Sequence, residues 1–310
     1  MHEIRVDRLT KRYGDAVVLD GVTFRATPGR VTGFLGRNGA GKTTTLRILV
    51  GLAAPTSGSA TIGGVPYGEI DRPARIVGAL LDGAGFHPGL SARAQLRLLC
   101  RGAGVGVSRV DDVLAMTDLA HAADRRTGKL SLGMRQRLTL AAVLLADPAV
   151  LVLDEPANGL DPPGLRWLRD LLRGLAAAGR TVLVSSHQLN EMAVIADDVV
   201  VLNRGRVVAA GPVAELTRPR VVVRSPSLSL LADALARAGL QVRPDGDVLR
   251  VLDSTTAQVG DVAALVGAPL HELRLETSSV EDVFFASTDR PSTDRPSTDR
   301  PSTDRRREAA

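Results

Sequence analysis

Residues 36–43 read Gly-Arg-Asn-Gly-Ala-Gly-Lys-Thr, and no other stretch of the chain limits its fold as tightly. The spacing GxxxxGK[ST] makes a phosphate cradle only when a strand delivers the loop and a helix carries the chain away. Both flanks are present. Val31–Leu35 is apolar enough for a buried strand, and 43–50 has the pattern of a helix. In such a cradle the glycines let the backbone turn tightly, so successive N–H groups from Gly36, Arg37, Asn38, Gly39, Ala40, Gly41, Lys42, Thr43 and Thr44 point at phosphate oxygens. The positive end of the helix adds to the attraction. Lys42 is expected to reach the β- and γ-phosphates and Thr43 to offer its hydroxyl to Mg²⁺. Arg37 either strengthens the phosphate field or points to solvent.

A second apolar run, 150–153, ends in the adjacent acids Asp154 and Glu155. Paired carboxylates at the end of a buried strand are costly unless a cation or solvent takes up their charge. Beside a phosphate cradle the pairing has a chemical use. Asp154 is placed to hold the metal ion and Glu155 to take a proton from an attacking water.

The first 211 residues alternate short apolar runs with helical patterns, as a sheet with crossover helices does, with 181–184 as a third buried strand. The stretch 90–146 reads as a mostly helical insert. Beyond Gly211-Pro212 the pattern changes to short strands at 221–223, 240–242 and 248–251 with an amphipathic helix at 230–236, a small α+β appendage ending near Phe285. From Ser287 the chain repeats Ser-Thr-Asp-Arg-Pro until Arg305. These units contain no apolar side chain, so this tail is expected to be disordered, either a tether or a repeat without a dedicated role.

Composition narrows the partners. Aromatics make up only 3%, so an aromatic stacking platform for single-stranded nucleic acid is not expected. The net charge of +5 is carried almost wholly by arginine, since Lys11, Lys42 and Lys129 are the lysines. It fits either an anionic partner or an arginine-biased composition. The one cysteine, Cys100, fits a reducing compartment. The opening residues are too polar for a signal peptide, and no segment has the ~20 apolar residues of a membrane span. The chain is therefore expected in the cytoplasm, any membrane part being supplied by another protein.

Further segments give the pattern a family. Leu130-Ser131-Leu132-Gly133-Met134-Arg135-Gln136 resembles the LSGGQ signature of ABC ATPases, Asn158-Gly159-Leu160-Asp161-Pro162 resembles their D-loop, and His187 in Ser185-Ser186-His187 resembles their switch histidine. Tyr13 matches the aromatic that stacks on adenine. The resemblance covers about residues 3–211. It implies an α/β fold: a P-loop NTPase core sheet with an antiparallel β subdomain and a helical insert, here followed by the C-terminal α+β appendage. With the change of pattern after Gly211-Pro212 and the repeat from Ser287, the chain is expected to divide into domains at 1–212 and 213–286 before a tail at 287–310. The resemblance also implies an ATPase that binds ATP and Mg²⁺ and works as a homodimer, or paired with a homologous subunit. Ser131, Gly133 and Asp161 would meet the nucleotide held by the other subunit. The subunits would serve a membrane permease from the inner face of the cell membrane, with no nucleic acid partner.

Two departures from the family pattern stand out. Leu132 replaces a signature glycine and Met134 the signature glutamine, while Asp82 replaces the glutamine that usually follows the strand here read at 76–81. A carboxylate at 82 can still ligate Mg²⁺ but donates no hydrogen bond. Both departures, with the C-terminal run from Leu275 to Phe284, resemble the branch that exports bacitracin, lantibiotics and related drugs. Two rivals are an ABC ATPase acting on ribosomes or DNA, which suits the basic charge, and a poorly hydrolysing regulatory module. One cassette without sustained heptads disfavours the first; intact Lys42, Asp154, Glu155 and His187 disfavour the second.

Overall fold

The computed structural model describes residues 2–277 apart from 82–84, 189–191, 193 and 218. Asp82, the C-terminal run beyond 277 and the repeat tail lie outside the described residues.

Strand β1 (Ile4–Tyr13) pairs antiparallel with β2 (Ala16–Ala26) on one side and β4 (Ser57–Ile62) on the other. A six-stranded sheet runs in the order β5-β6-β7-β3-β8-β9, with β3 (Val31–Leu35), β5 (Val77–Leu80), β6 (Val150–Asp154), β7 (Thr181–Ser186), β8 (Asp198–Asn203) and β9 (Arg206–Pro212). All its pairings are parallel except the last, β8 with β9.

Both faces of this sheet are buried, which is why its strands read as unbroken apolar runs. Along β6, Leu151 and Leu153 enter one core while Val150 and Val152 enter the other. The second core lies towards the antiparallel sheet, where the rings of Phe24 and Phe34 stack with centroids 4.9 Å apart. It also takes the buried face of α1 (Lys42–Leu49). The first core is covered by α3 (Ala92–Ala103), α4 (Arg109–Met116), α5 (Leu132–Leu144) and α6 (Pro162–Ala177). The strand expected at 76–81 is shorter. Pro73 starts a single turn, α2 (Pro73–Ile76), so Ile76 is helical and pairing with β6 begins at Val77. The turn α7 (Val213–Leu216) packs its Val213 and Leu216 on the first core.

The C-terminal segment builds a third core, around Val221, Val223, Leu235 and Val251. Its elements are β10 (Pro219–Arg224), α8 (Leu228–Arg237), β11 (Gln241–Asp245), β12 (Val248–Leu252), α9 (Thr256–Leu265) and β13 (Glu272–Thr277). The strand order β11-β12-β10-β13 makes it a βαββαβ unit with an antiparallel sheet. Helix α9 and strand β13 extend what the sequence pattern indicated.

Candidate nucleotide site

Strands β3, β7 and β6 are adjacent and parallel, so their carboxyl ends open on one edge of the sheet, where α/β folds place their ligands. The cradle leaves β3, Asp154 and Glu155 leave β6, and Ser185, Ser186 and His187 leave β7. Residues separated by more than a hundred positions meet there because the strand register aligns Leu35 with Ser186 and Asp154 with Ser185.

Gly41 caps α1 with φ of 108°, a conformation open to glycine, and a methyl group there would fall 2.5 Å from Leu19 Cδ2. This close fit sets where Lys42 begins the helix. The Lys42 side chain is buried, donates to the carbonyl of Gly36 at 2.7 Å and lies 3.4 Å from Glu155 Oε1. Thr43 donates its hydroxyl to Asp154 Oδ2 at 2.7 Å, and Ser185 donates to the other Asp154 oxygen. Glu155 adopts φ of 50°, unusual for a side-chain-bearing residue. Its N–H donates to the Ser185 carbonyl (3.2 Å) and hydroxyl (3.1 Å). His187 Nδ1 lies 2.8 Å from Glu155 Oε2.

Thr43 and Asp154 thus offer hard oxygens side by side, the donor set that suits Mg²⁺. Among the described residues no group of three or more His, Cys, Asp or Glu side chains forms a metal cage. A divalent cation there would complete its shell with phosphate oxygens and water, as Mg²⁺ does in nucleotide sites.

Other predicted residues sit elsewhere. Arg37, Asn38, Gly39 and Ala40 line a cavity of about 280 Å³ with Asn203 and Arg204. Tyr13 ends β1 half exposed, with the Lys11 ammonium 4.8 Å from its ring centre. Ser131 caps α5, its hydroxyl accepting from the Met134 N–H at 3.2 Å, and Asp161 caps α6 by accepting from Gly164. Ser131, Gly133 and Asp161 line a separate cavity of about 460 Å³ with Asp118, His121 and Arg137. The residues expected to touch one nucleotide therefore fall into two groups on the chain.

Sequence reasoning passed over two contributors. Ser185 is fully buried and holds both acids; a serine ending a buried strand was its only signal. Gln136 donates to the Pro156 carbonyl at 3.0 Å, tying α5 to the segment after Glu155.

The profile of the ABC transporter family matches residues 19–158, and that of a domain of unknown function matches 219–281. The chain is 39% identical over 212 residues to the bacitracin transport ATP-binding protein BcrA of Bacillus licheniformis, covering 67% of this chain and 69% of that protein. It is 35% identical over 292 residues to the Nod factor export ATP-binding protein I of Burkholderia orbicola, covering 90% and 95%. Among solved structures, the ATP binding subunit of an ABC transporter superposes with a TM-score of 0.62 at 27% identity, over 69% of this chain and 91% of the other. The cbiO1 protein of Clostridium perfringens, part of the cbiONQ transporter complex, superposes with 0.63 at 27%, over 76% and 95%. With the cradle, the two acids and the helical insert all in place, the chain belongs to the ATP-binding, ATP-hydrolysing subunits of ABC transporters.

Proposed function

We propose that two copies of this chain, or one copy and a homologous subunit, close head-to-tail over two Mg·ATP and drive a separate membrane permease that exports a drug, antibiotic or peptide. One observation supports the dimer: the cavity beside Ser131, Gly133 and Asp161 is lined by none of the cradle residues, the separation expected where a second chain brings the two groups together over one nucleotide. In this reading the cradle over 36–44 binds the phosphates and Tyr13 stacks on adenine. The domains divide as 1–212 for ATP hydrolysis and 213–286 as an accessory unit, with a tail from 287.

Chemistry follows from the short distances around Glu155. An ionised carboxylate only accepts hydrogen bonds, so His187 Nδ1 donates to it and Nε2 is left for a second partner, the γ-phosphate. Lys42 exchanges the Gly36 carbonyl for phosphate oxygens, and Glu155 takes a proton from the attacking water. Thr43 and Asp154, joined by Asp82, would hold the Mg²⁺, whose charge offsets that developing on the phosphate oxygens.

The permease reading rests on a groove of about 640 Å³ whose lining includes Leu80, Gly85 and Phe86. Val77, Leu80, Phe86, Leu98, Leu99 and Val143 line it, and Leu98 is 54% exposed although apolar. Exposed apolar lining of this kind is the mark of a partner surface. No helix of the described residues is long and apolar enough to cross a membrane, so the membrane part belongs to that partner. Export of an antibiotic or a related compound is supported by the names of the bacitracin and Nod factor relatives.

The test is to recover Glu155→Gln, tagged at its C-terminus, from solubilised native membranes with ATP present. A stoichiometric multi-helix membrane protein in the eluate supports the reading. Ribosomes or DNA-repair factors, with no membrane protein, would replace it with an ATPase acting on nucleic acid complexes.

A further inference from the structure

Leu132 is the signature residue that departs most in shape from the glycine it replaces, and its side chain does not enter the core. It is 59% exposed and lies over Gly159. A methyl group on Gly159 would fall 2.5 Å from Leu132 Cδ2 and 2.6 Å from Cγ. The neighbouring positions of α5 reach the same segment. A methyl group on Gly133 would lie 3.5 Å from the Gly159 carbonyl, and Gln136 donates to the Pro156 carbonyl at 3.0 Å.

This segment begins immediately after Glu155 and is wound tightly onto it. The Asn158 N–H donates to the Glu155 carbonyl at 3.2 Å and the Leu160 N–H to the Ala157 carbonyl at 3.1 Å. Glu155 itself holds φ of 50°, a strained conformation that persists only where its surroundings enforce it. Ser185 fixes its N–H from one side. Lys42 and His187 hold its carboxylate, and on its C-terminal side the backbone runs straight into the segment 156–160, which the Leu132 side chain covers at Gly159.

We infer that Leu132 is a positioning residue for hydrolysis: it clamps the segment 156–160 to the first turn of the signature helix and so keeps Glu155 of the same chain in its reactive conformation. The inference rests on the proposed function above, in which the turn that Leu132 shares with Ser131 and Gly133 receives the other subunit's nucleotide. Engagement of that turn then steadies Glu155 in its own chain, through contacts already made before closure.

The experiment uses the purified full chain and compares Leu132→Ala, Leu132→Gly and Leu132→Met with the parent. Because Leu132 is exposed, the variants are expected to melt within a degree or two of the parent. Leu132→Ala and Leu132→Gly should lower kcat roughly tenfold while the affinity for a fluorescent ATP analogue stays within about twofold, since displacement of a catalytic group costs rate rather than binding. Leu132→Met, similar in volume, should restore most of the rate. In a double-mutant cycle, Gly159→Ala should cost less in the Leu132→Gly background than in the parent, because the crowding methyl then has room. Parental kcat in Leu132→Gly, or strictly additive effects of the two substitutions, would overturn the clamp. A parent whose hydrolysis does not depend on Glu155 would overturn the reading beneath it, and the clamp with it.

Discussion

Glu155 joins the ends of two strands: its Oε2 lies 2.8 Å from His187 Nδ1 and its Oε1 3.4 Å from Lys42 Nζ. A carboxylate so placed stands between the cradle's lysine and the histidine that leaves β7. Replacing it with glutamine keeps the shape and removes the capacity to take a proton. Glu155→Gln is therefore expected to bind ATP with parental affinity and to hydrolyse it about 10² to 10⁴ times more slowly, the usual range for a lost general base. Single-turnover hydrolysis and equilibrium binding measured on the same sample check this. Parental turnover in the variant would remove Glu155 from the base's role.

Lys42 separates binding from chemistry in the opposite sense. Its ammonium is buried and already compensated by the Gly36 carbonyl, so truncation takes away the main charge the cradle offers to phosphate. Lys42→Ala is expected to weaken ATP binding at least tenfold, read by titration with a fluorescent analogue, and Glu155 then loses a cationic neighbour. Unchanged affinity would mean that the backbone N–H groups suffice and that the lysine acts only later.

Much of this site was legible in the sequence because each part depends on local chemistry. The run from Gly36 to Thr43 has a mandatory conformation, and Val150–Asp154 announces a buried strand that ends in charge. What was not legible is tertiary. Ser185 becomes important only because β7 sets it opposite Asp154, and no local pattern encodes that register. Ile76 looks like a strand residue by its side chain, but Pro73 begins a turn of helix that runs through it. In the C-terminal segment, α9 has a capping box at Thr255 and Gln258 that marked its start, yet its weakly periodic Ala, Val and Gly content hid the helix that follows.

Ser185→Ala tests the buried network directly. The hydroxyl donates to Asp154 and accepts from the Glu155 N–H, so its loss leaves Asp154 to Thr43 and the Glu155 N–H to the Ser185 carbonyl in a partly buried site. Removal of such a hydrogen bond costs about 1–3 kcal/mol. The expected result is a lower melting temperature together with a higher Mg²⁺ concentration for half-maximal ATPase activity, because Asp154 is less firmly oriented. A variant that melts earlier but keeps its Mg²⁺ dependence would assign Ser185 to stability alone.

Glu276 provides a prediction far from the nucleotide. Burial works against its charge, but the hydrogen bond and positive charge of Arg220, with Arg250 and Arg274 nearby, outweigh burial and hold the carboxyl below the usual glutamate range. The distances are 2.6 Å to Arg220 Nε and 3.0 Å to Arg250 Nη1. A depressed folded value means that the charged carboxylate stabilises the fold above the unfolded glutamate pKa of ~4.3, and that this contribution is lost as pH falls through the lower folded value. At pH 7, Glu276→Gln should therefore reduce the stability of the C-terminal sheet by about 1 kcal/mol, a modest figure because the group is partly solvated. The gap between parent and variant should narrow as the pH is lowered below ~4 and close once the parent's carboxyl is itself protonated. Amide exchange in Pro219–Arg224 and Val248–Leu252, followed as a function of pH in both proteins, measures this locally without requiring the whole chain to unfold in one step. A gap that stays constant from neutral to acid pH would mean that the glutamate contributes through packing, and that its charge is not held by the three arginines.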